Sequence, residues 1–133
     1  MTGARSGAES AEAFCRRVGE VVFATKAGIV LPKIIVHLDD IDPTDLRELV
    51  WSFATRCHPM LGNVTFGSVP APPLIAYLRA SEKISASTGK VIYNCLSPDE
   101  WGDKLPTRSS FAHAYPEEIR RRVLSRWEAF GLS

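Results

Sequence analysis

The sequence predicts an α/β fold, a single layered domain in which a short mixed sheet is flanked by helices. Three observations carry that expectation. A β-branched apolar run, KIIVHL, lies between two amphipathic helical segments; two further β-rich runs, NVTFGSV and KVIYNCL, follow; and the chain closes on a third amphipathic segment. Strands that alternate with helices bury their apolar faces as stacked layers, and 133 residues fit one domain.

The first ten residues, MTGARSGAES, are small and polar and read as a flexible tail before a domain spanning residues 11–133. From there Phe14, Cys15, Val18, Val21 and Val22 recur at three- and four-residue spacing, which predicts a helix over residues 11–22. Gly19 within it lowers helix propensity, so it marks either a close packing contact or an early end. KIIVHL reads as a buried strand. In DIDPTDLRELVWSFATR, Asp42 is the expected N-cap, Pro43 the first helical residue, and Leu46, Leu49, Val50, Phe53 and Ala54 the buried stripe. Pro59 ends that helix.

NVTFGSV predicts a second strand, and PAPPLIAYLRA, with three prolines in four positions, a rigid extended segment. Polar SEKISASTG leads to the third strand, KVIYNCL, and residues 97–110 read as a long loop. The last helix is expected from Pro116, with Glu117 and Glu118 in its first turn, Ile119, Val123, Trp127 and Phe130 on one face, and Gly131 as its stop.

Composition excludes several function classes. A net charge of +1 argues against nucleic acid or anionic membrane as partner. No apolar run reaches the length that spans a bilayer, and the start lacks a signal-peptide pattern, so a cytoplasmic protein is expected. Cys15, Cys57 and Cys95 lack zinc-site spacing and are expected as reduced, mostly buried thiols; no metal site is expected.

Asp39, Asp40 and Asp42 follow a strand, where a cation could bind, but helix capping and turn solvation explain them better. His37, His58 and His113 are isolated, and His37 is expected as a hydrogen-bonded core or edge residue. Arg120, Arg121, Arg122 and Arg126 are expected to be solvated or paired with Glu117 and Glu118. Lys26, in ATKAG, stands apart. Small neighbours would let a ligand approach the backbone, Gly28 is free to take a positive φ, and a lysine there can serve as a point charge on a phosphate.

The segments FCRRVGEVVFATKAG, PKIIVHLDDIDPTDLRELVWSFATRCHP, PPLIAYL, GKVIYNC and HAYPEEIRRRVLSRW occur in the order found in the C-terminal part of UbiD-type decarboxylases. The chain resembles most closely their ferulic acid and aromatic acid decarboxylase branch. The resemblance implies a UbiD C-terminal-domain-like fold. It also implies a role in the non-oxidative (de)carboxylation of aromatic or α,β-unsaturated acids with prenylated FMN as electron sink. By the same resemblance Lys26 reaches the cofactor phosphate, and Ile29, Val30, Pro72, Pro73 and Leu74 line the substrate pocket, although ferulate-type enzymes usually carry an aromatic residue where Pro72 stands.

Family members also carry an N-terminal domain and a central barrel that hold most of the flavin, its metal ions and a Glu-Arg-Glu proton-transfer network. Nothing in this sequence supplies those groups. The resemblance therefore implies a C-terminal domain or small subunit, inactive alone, that needs a large UbiD-type subunit or domains and contributes to a homo-oligomer through Trp127 and Phe130. The alternatives are a catalytically inactive binding or oligomerisation module and a binder of a phosphorylated small molecule.

Overall fold

Three strands make one mixed sheet in the order β1-β3-β2: β1 (Lys33–His37), β2 (Asn63–Pro70) and β3 (Ser87–Cys95). This computed structural model describes residues 9–96 and 108–131, which fall into two compact units divided between those stretches. Most of the expected ten-residue tail, residues 1–8, and most of the expected loop, residues 97–107, lie outside the described residues; Glu9 and Ser10 belong to the start of the first helix, where Glu9 pairs with Arg17 and Ser10 is the N-cap.

In the first unit β3 is central, pairing in parallel with β1 (Lys33 opposite Val91 through His37 opposite Cys95) and antiparallel with β2. The predicted strand KIIVHL is thus an edge strand rather than a buried one, and Ile35 remains 40% exposed. β3 takes the buried place and begins three residues earlier than expected, because its pairing with β2 extends it back to Ser87, opposite Pro70.

Helix α1 (Ala11–Phe23) starts where Ser10 Oγ accepts from the Ala13 amide (3.1 Å). It lies against β2 and β3. Its buried face is Ala11, Phe14, Cys15, Gly19 and Phe23, whereas Val21, expected inside, is exposed. Gly19 is explained by packing. A Cβ there would overlap the Phe66 ring and come within 3.0 Å of Ile92 Cδ1. With Val64 and Leu96 these residues form the core.

Helix α2 (Leu46–Arg56) packs on β3, with Phe53 edge-on to Tyr93 at 5.1 Å. Its N-cap is Asp45, whose side chain accepts from the Arg47 amide (2.8 Å), and not Asp42. Asp42 instead closes a turn by accepting from the amide and hydroxyl of Thr44 (2.8 and 2.7 Å), and those bonds hold its carboxyl below the usual range. The predicted stripe is also turned only partly toward the sheet, with Leu49 half-buried and Phe53 reaching Tyr93. Ser52 and Arg56 are buried, while Leu46, Val50 and Phe53 are exposed. Arg56 fixes this orientation through a two-pronged ion pair with Asp40 (Nη1 to Oδ1, 2.8 Å) and lies 5.0 Å from the Trp51 ring.

Between β2 and β3 a helix missed in the sequence, α3 (Ala80–Ser85), is held by Glu82, which accepts from the Arg79 amide and the Thr88 hydroxyl (2.9 and 2.7 Å). Its six mostly polar residues carry no helical period; those two bonds define it. The second unit comprises α4 (Phe111–Ala114), α5 (Glu117–Leu124) and a 3-10 turn over Glu128–Phe130. Pro116 is the N-cap of α5 rather than its first residue, and the α-helix ends at Leu124, short of Gly131, which closes the 3-10 turn at φ 70°.

Two predictions follow from the core. Gly19→Ala should destabilise the fold by about 1–3 kcal/mol in urea denaturation despite its better helix propensity, because overpacking outweighs it; equal or higher stability would refute the contact. Burial pushes the Cys15 and Cys95 thiols up to about 12, with the neighbouring Cys57 adding to both shifts. Raised thiols favour the folded state below the unfolded-state pKa near 9, and that stability is lost as pH climbs toward 12. Relative to a Cys15→Ala/Cys95→Ala variant, the wild type should lose about 1.4 kcal/mol per thiol by one pH unit above that value.

Candidate functional site

α1 ends at Phe23, and the next residues turn back sharply. Thr25 Oγ1 donates to the Val22 carbonyl (2.7 Å) and accepts from the Gly28 amide (2.9 Å), which leads into a 3-10 turn over Gly28–Val30. Gly28 does not take the expected positive φ. It is glycine because its Cα lies against the end of α1, where a Cβ would overlap the Val22 carbonyl and sit 2.9 Å from Thr25 Oγ1.

The turn is pinned from beneath. Lys90, in the middle of β3, is 2% exposed, and its Nζ donates to the Gly28 and Ile29 carbonyls (3.1 and 2.7 Å) while lying 5.0 Å from the centre of the Phe23 ring. Burial lowers its pKa, and the two carbonyls with the ring face compensate the lost hydration.

Lys26 is thereby displayed outward. It is exposed, and among the described residues it has no hydrogen-bonding or ion-pair partner. It lines a depression of about 620 Å³ together with Phe23, Ile29, Phe66, Val69 and Pro70, an apolar surface whose other polar groups include Glu20 and Ser68. An exposed cation beside an apolar wall suits a ligand with an apolar body and an anionic group.

Lys26 and Ile29 both line the depression. Val30 does not line it and is 52% exposed. Pro72, Pro73 and Leu74 follow Pro70 on the segment after β2 and also stand outside it; Pro72 is half-buried, Pro73 exposed and Leu74 92% exposed. Asp40 is taken by Arg56 and Asp42 by Thr44. Among the described residues no group of three His, Cys, Asp or Glu side chains is placed to hold a metal ion.

His37 is half-buried with Nδ1 2.7 Å from the Leu38 carbonyl, His58 Nδ1 accepts from the Met60 and Leu61 amides, and His113 Nδ1 is 2.8 Å from Ser110 Oγ. Arg121 pairs with Glu117 (3.0 Å). No described helix is long and apolar enough to cross a membrane. Two residues of the site escaped the sequence reading. A lysine opening KVIYNC was the available signal for Lys90, since a cation within an apolar central strand needs partners. For Ser68, the dipeptide GS inside NVTFGSV hinted at a bulge.

Residues 4–95 match the model of the 3-octaprenyl-4-hydroxybenzoate carboxy-lyase C-terminal domain. The chain is 41% identical over 122 residues to a pyrrole-2-carboxylic acid decarboxylase of Pseudomonas aeruginosa, covering 91% of this chain and 25% of that protein. It is 29% identical over 122 residues to ferulic acid decarboxylase 1 of Saccharomyces cerevisiae, covering 90% and 24%. It thus spans about a quarter of the length of the curated relatives it matches. In fold it resembles the closed form of a vanillic acid decarboxylase of Sedimentibacter hydroxybenzoicus (TM-score 0.65, 18% identity, 92% of this chain and 24% of that one). It also resembles the UbiD-class enzyme HmfF of Pelotomaculum thermopropionicum, solved in complex with FMN (TM-score 0.57, 17% identity, 81% and 22%).

If Lys90 pins the turn, Lys90→Met should cost about 1–3 kcal/mol in urea denaturation, the range for carbonyls left without a buried donor. The amide resonances of residues 26–30 should move with it. Unchanged stability together with unchanged resonances would show that the turn holds without the cation.

Proposed function

The chain belongs to the 3-octaprenyl-4-hydroxybenzoate carboxy-lyase C-terminal domain family, and from that premise we propose that it serves as the C-terminal domain or small subunit of a UbiD-type non-oxidative (de)carboxylase. Its substrates on this reading are aromatic or α,β-unsaturated acids. The observation that carries the reading is Lys26, an exposed cation without a partner among the described residues, held on a pinned turn beside an apolar depression.

Lys26 suits the phosphate end of prenylated FMN, whose neighbouring ribityl chain is hydroxylated and can meet the polar groups of the same lining. When bound, the cofactor supplies the electron sink for loss of CO₂. Lys26 neutralises the phosphate and fixes the cofactor's position. Ile29 and Val30, on the turn after Lys26, and Pro72, Pro73 and Leu74, on the segment beyond Pro70, form an apolar wall for the substrate. Acid–base work has to come from other domains, because the Arg56–Asp40 pair is committed to orienting α2. The chain alone decarboxylates nothing.

The partner is a large subunit, or adjoining domains, of the same enzyme type, acting in the cytoplasm. The exposed stripe Leu46, Val50 and Phe53 supports such docking, since apolar side chains in a row on one helix face gain by being covered. Trp127 and Phe130, each exposed, are the candidates for homo-oligomer contacts. The same stripe and the same aromatic pair suit the alternative of an inactive oligomerisation module, which differs in not needing Lys26.

Co-expression with a large subunit carrying the flavin-binding domains tests the proposal. The expected outcome is a complex that co-purifies and decarboxylates, loses at least about ten-fold in cofactor retention with Lys26→Ala, an ionic hydrogen bond's worth, and fails to form with Val50→Asp although that variant alone keeps its circular dichroism. A chain that self-associates, ignores the large subunit and is indifferent to Lys26→Ala would favour the module.

A further inference from the structure

The lining of the depression holds one lysine and one glutamate, Lys26 and Glu20. Their charges cancel, so charge alone does not concentrate an anion there. A directional donor is needed, and β2 has one in an unusual place. Between Phe66 and Val69 the pairing slips: Phe66 faces Lys90 and Val69 faces Thr88, so residues 67 and 68 share the space opposite Gly89. This is a β-bulge, a device that re-aims a side chain and is frequent beside functional sites.

Ser68 at the bulge has φ 52°, the left-handed region that side chains disfavour. Gly67 beside it would adopt that conformation without strain, yet the positive φ falls on the serine. Strain kept on a residue with a functional group motivates a search for its use. The Ser68 side chain is exposed, lines the same depression as Lys26, and has no hydrogen-bond partner among the described residues. Thr25, the other hydroxyl of the lining, is already committed to the Val22 carbonyl and the Gly28 amide.

We propose that Ser68 is the second anchor of the phosphate that Lys26 holds, its hydroxyl donating to a phosphate oxygen while the lysine supplies the charge. The proposal rests on the reading of this depression as a flavin-phosphate site. It adds a residue of this chain with a distinct role: Lys26 sets the affinity for charge, Ser68 the orientation of the group.

Titration of the ¹⁵N-labelled chain, assembled with a flavin-free large subunit, with FMN, riboflavin and inorganic phosphate tests it. The amides of Lys26 and Ser68 should shift together with FMN and with phosphate, and not with riboflavin. Ser68→Ala and Ser68→Gly should each weaken FMN binding about ten-fold, as expected for losing a hydrogen bond to a charged group. Ser68→Gly also relieves the strained φ, so a destabilised fold cannot account for its loss. Unchanged FMN affinity in Ser68→Gly, or shifts at Lys26 without Ser68, would each overturn the proposal. Neither of these would touch the flavin-phosphate reading itself, which stands or falls on Lys26→Ala in the assembled decarboxylase.

Discussion

The ammonium of Lys90 lies almost without solvent under the turn that follows the first helix, and the arrangement of the candidate site depends on how that buried charge is satisfied. A cation taken from water costs several kcal/mol unless its donors are used. Two donors reach the Gly28 and Ile29 carbonyls, and the Phe23 ring covers the charge from another side. The central strand therefore dictates where the turn sits. The turn in turn decides that Lys26 faces outward while Ile29 lines the depression beside it.

Two glycines make this geometry possible, both by being small. Gly19 lets α1 approach β2 and β3 until Phe66 and Ile92 touch its backbone, and Gly28 lets the turn fold onto the last carbonyls of the same helix. With side chains at either position, α1 would stand farther from the sheet, or the turn farther from α1. Lys90 would then miss its carbonyls. Helix, turn and strand are thus one mechanical unit, and the bulge at Ser68 lies on the strand next to it.

The opposite side of the sheet follows another logic. α2 turns a serine and an arginine inward and leaves Leu46 and Val50 outward, an orientation held by the Arg56–Asp40 pair and by the edge-on contact of the partly exposed Phe53 with Tyr93. A buried guanidinium is retained only with a carboxylate in good geometry, and Asp40, at the end of β1, supplies it. The cost is an apolar stripe left open. That stripe accords with a chain matching a quarter of its relatives' length.

By itself the sequence determined the α/β class, three strands with helices on either side, the family, and Lys26 as the residue to watch. Those features are written in local periodicity, in turn and cap residues, and in a run of motifs, all of which act over a few residues. The direction of α2, the edge position of β1, the short helix α3, and the parts played by Lys90, Gly28 and Ser68 were decided only in the tertiary structure. α3 and Gly28 rest on contacts within six residues that carry no periodic signal, whereas the others depend on groups distant in sequence: Lys90 lies 62 positions from the carbonyl of Gly28 that it binds, and Arg56 lies 16 from Asp40. Helical spacing shows which residues share a face. Which face turns inward is settled by where a buried charge finds its partner.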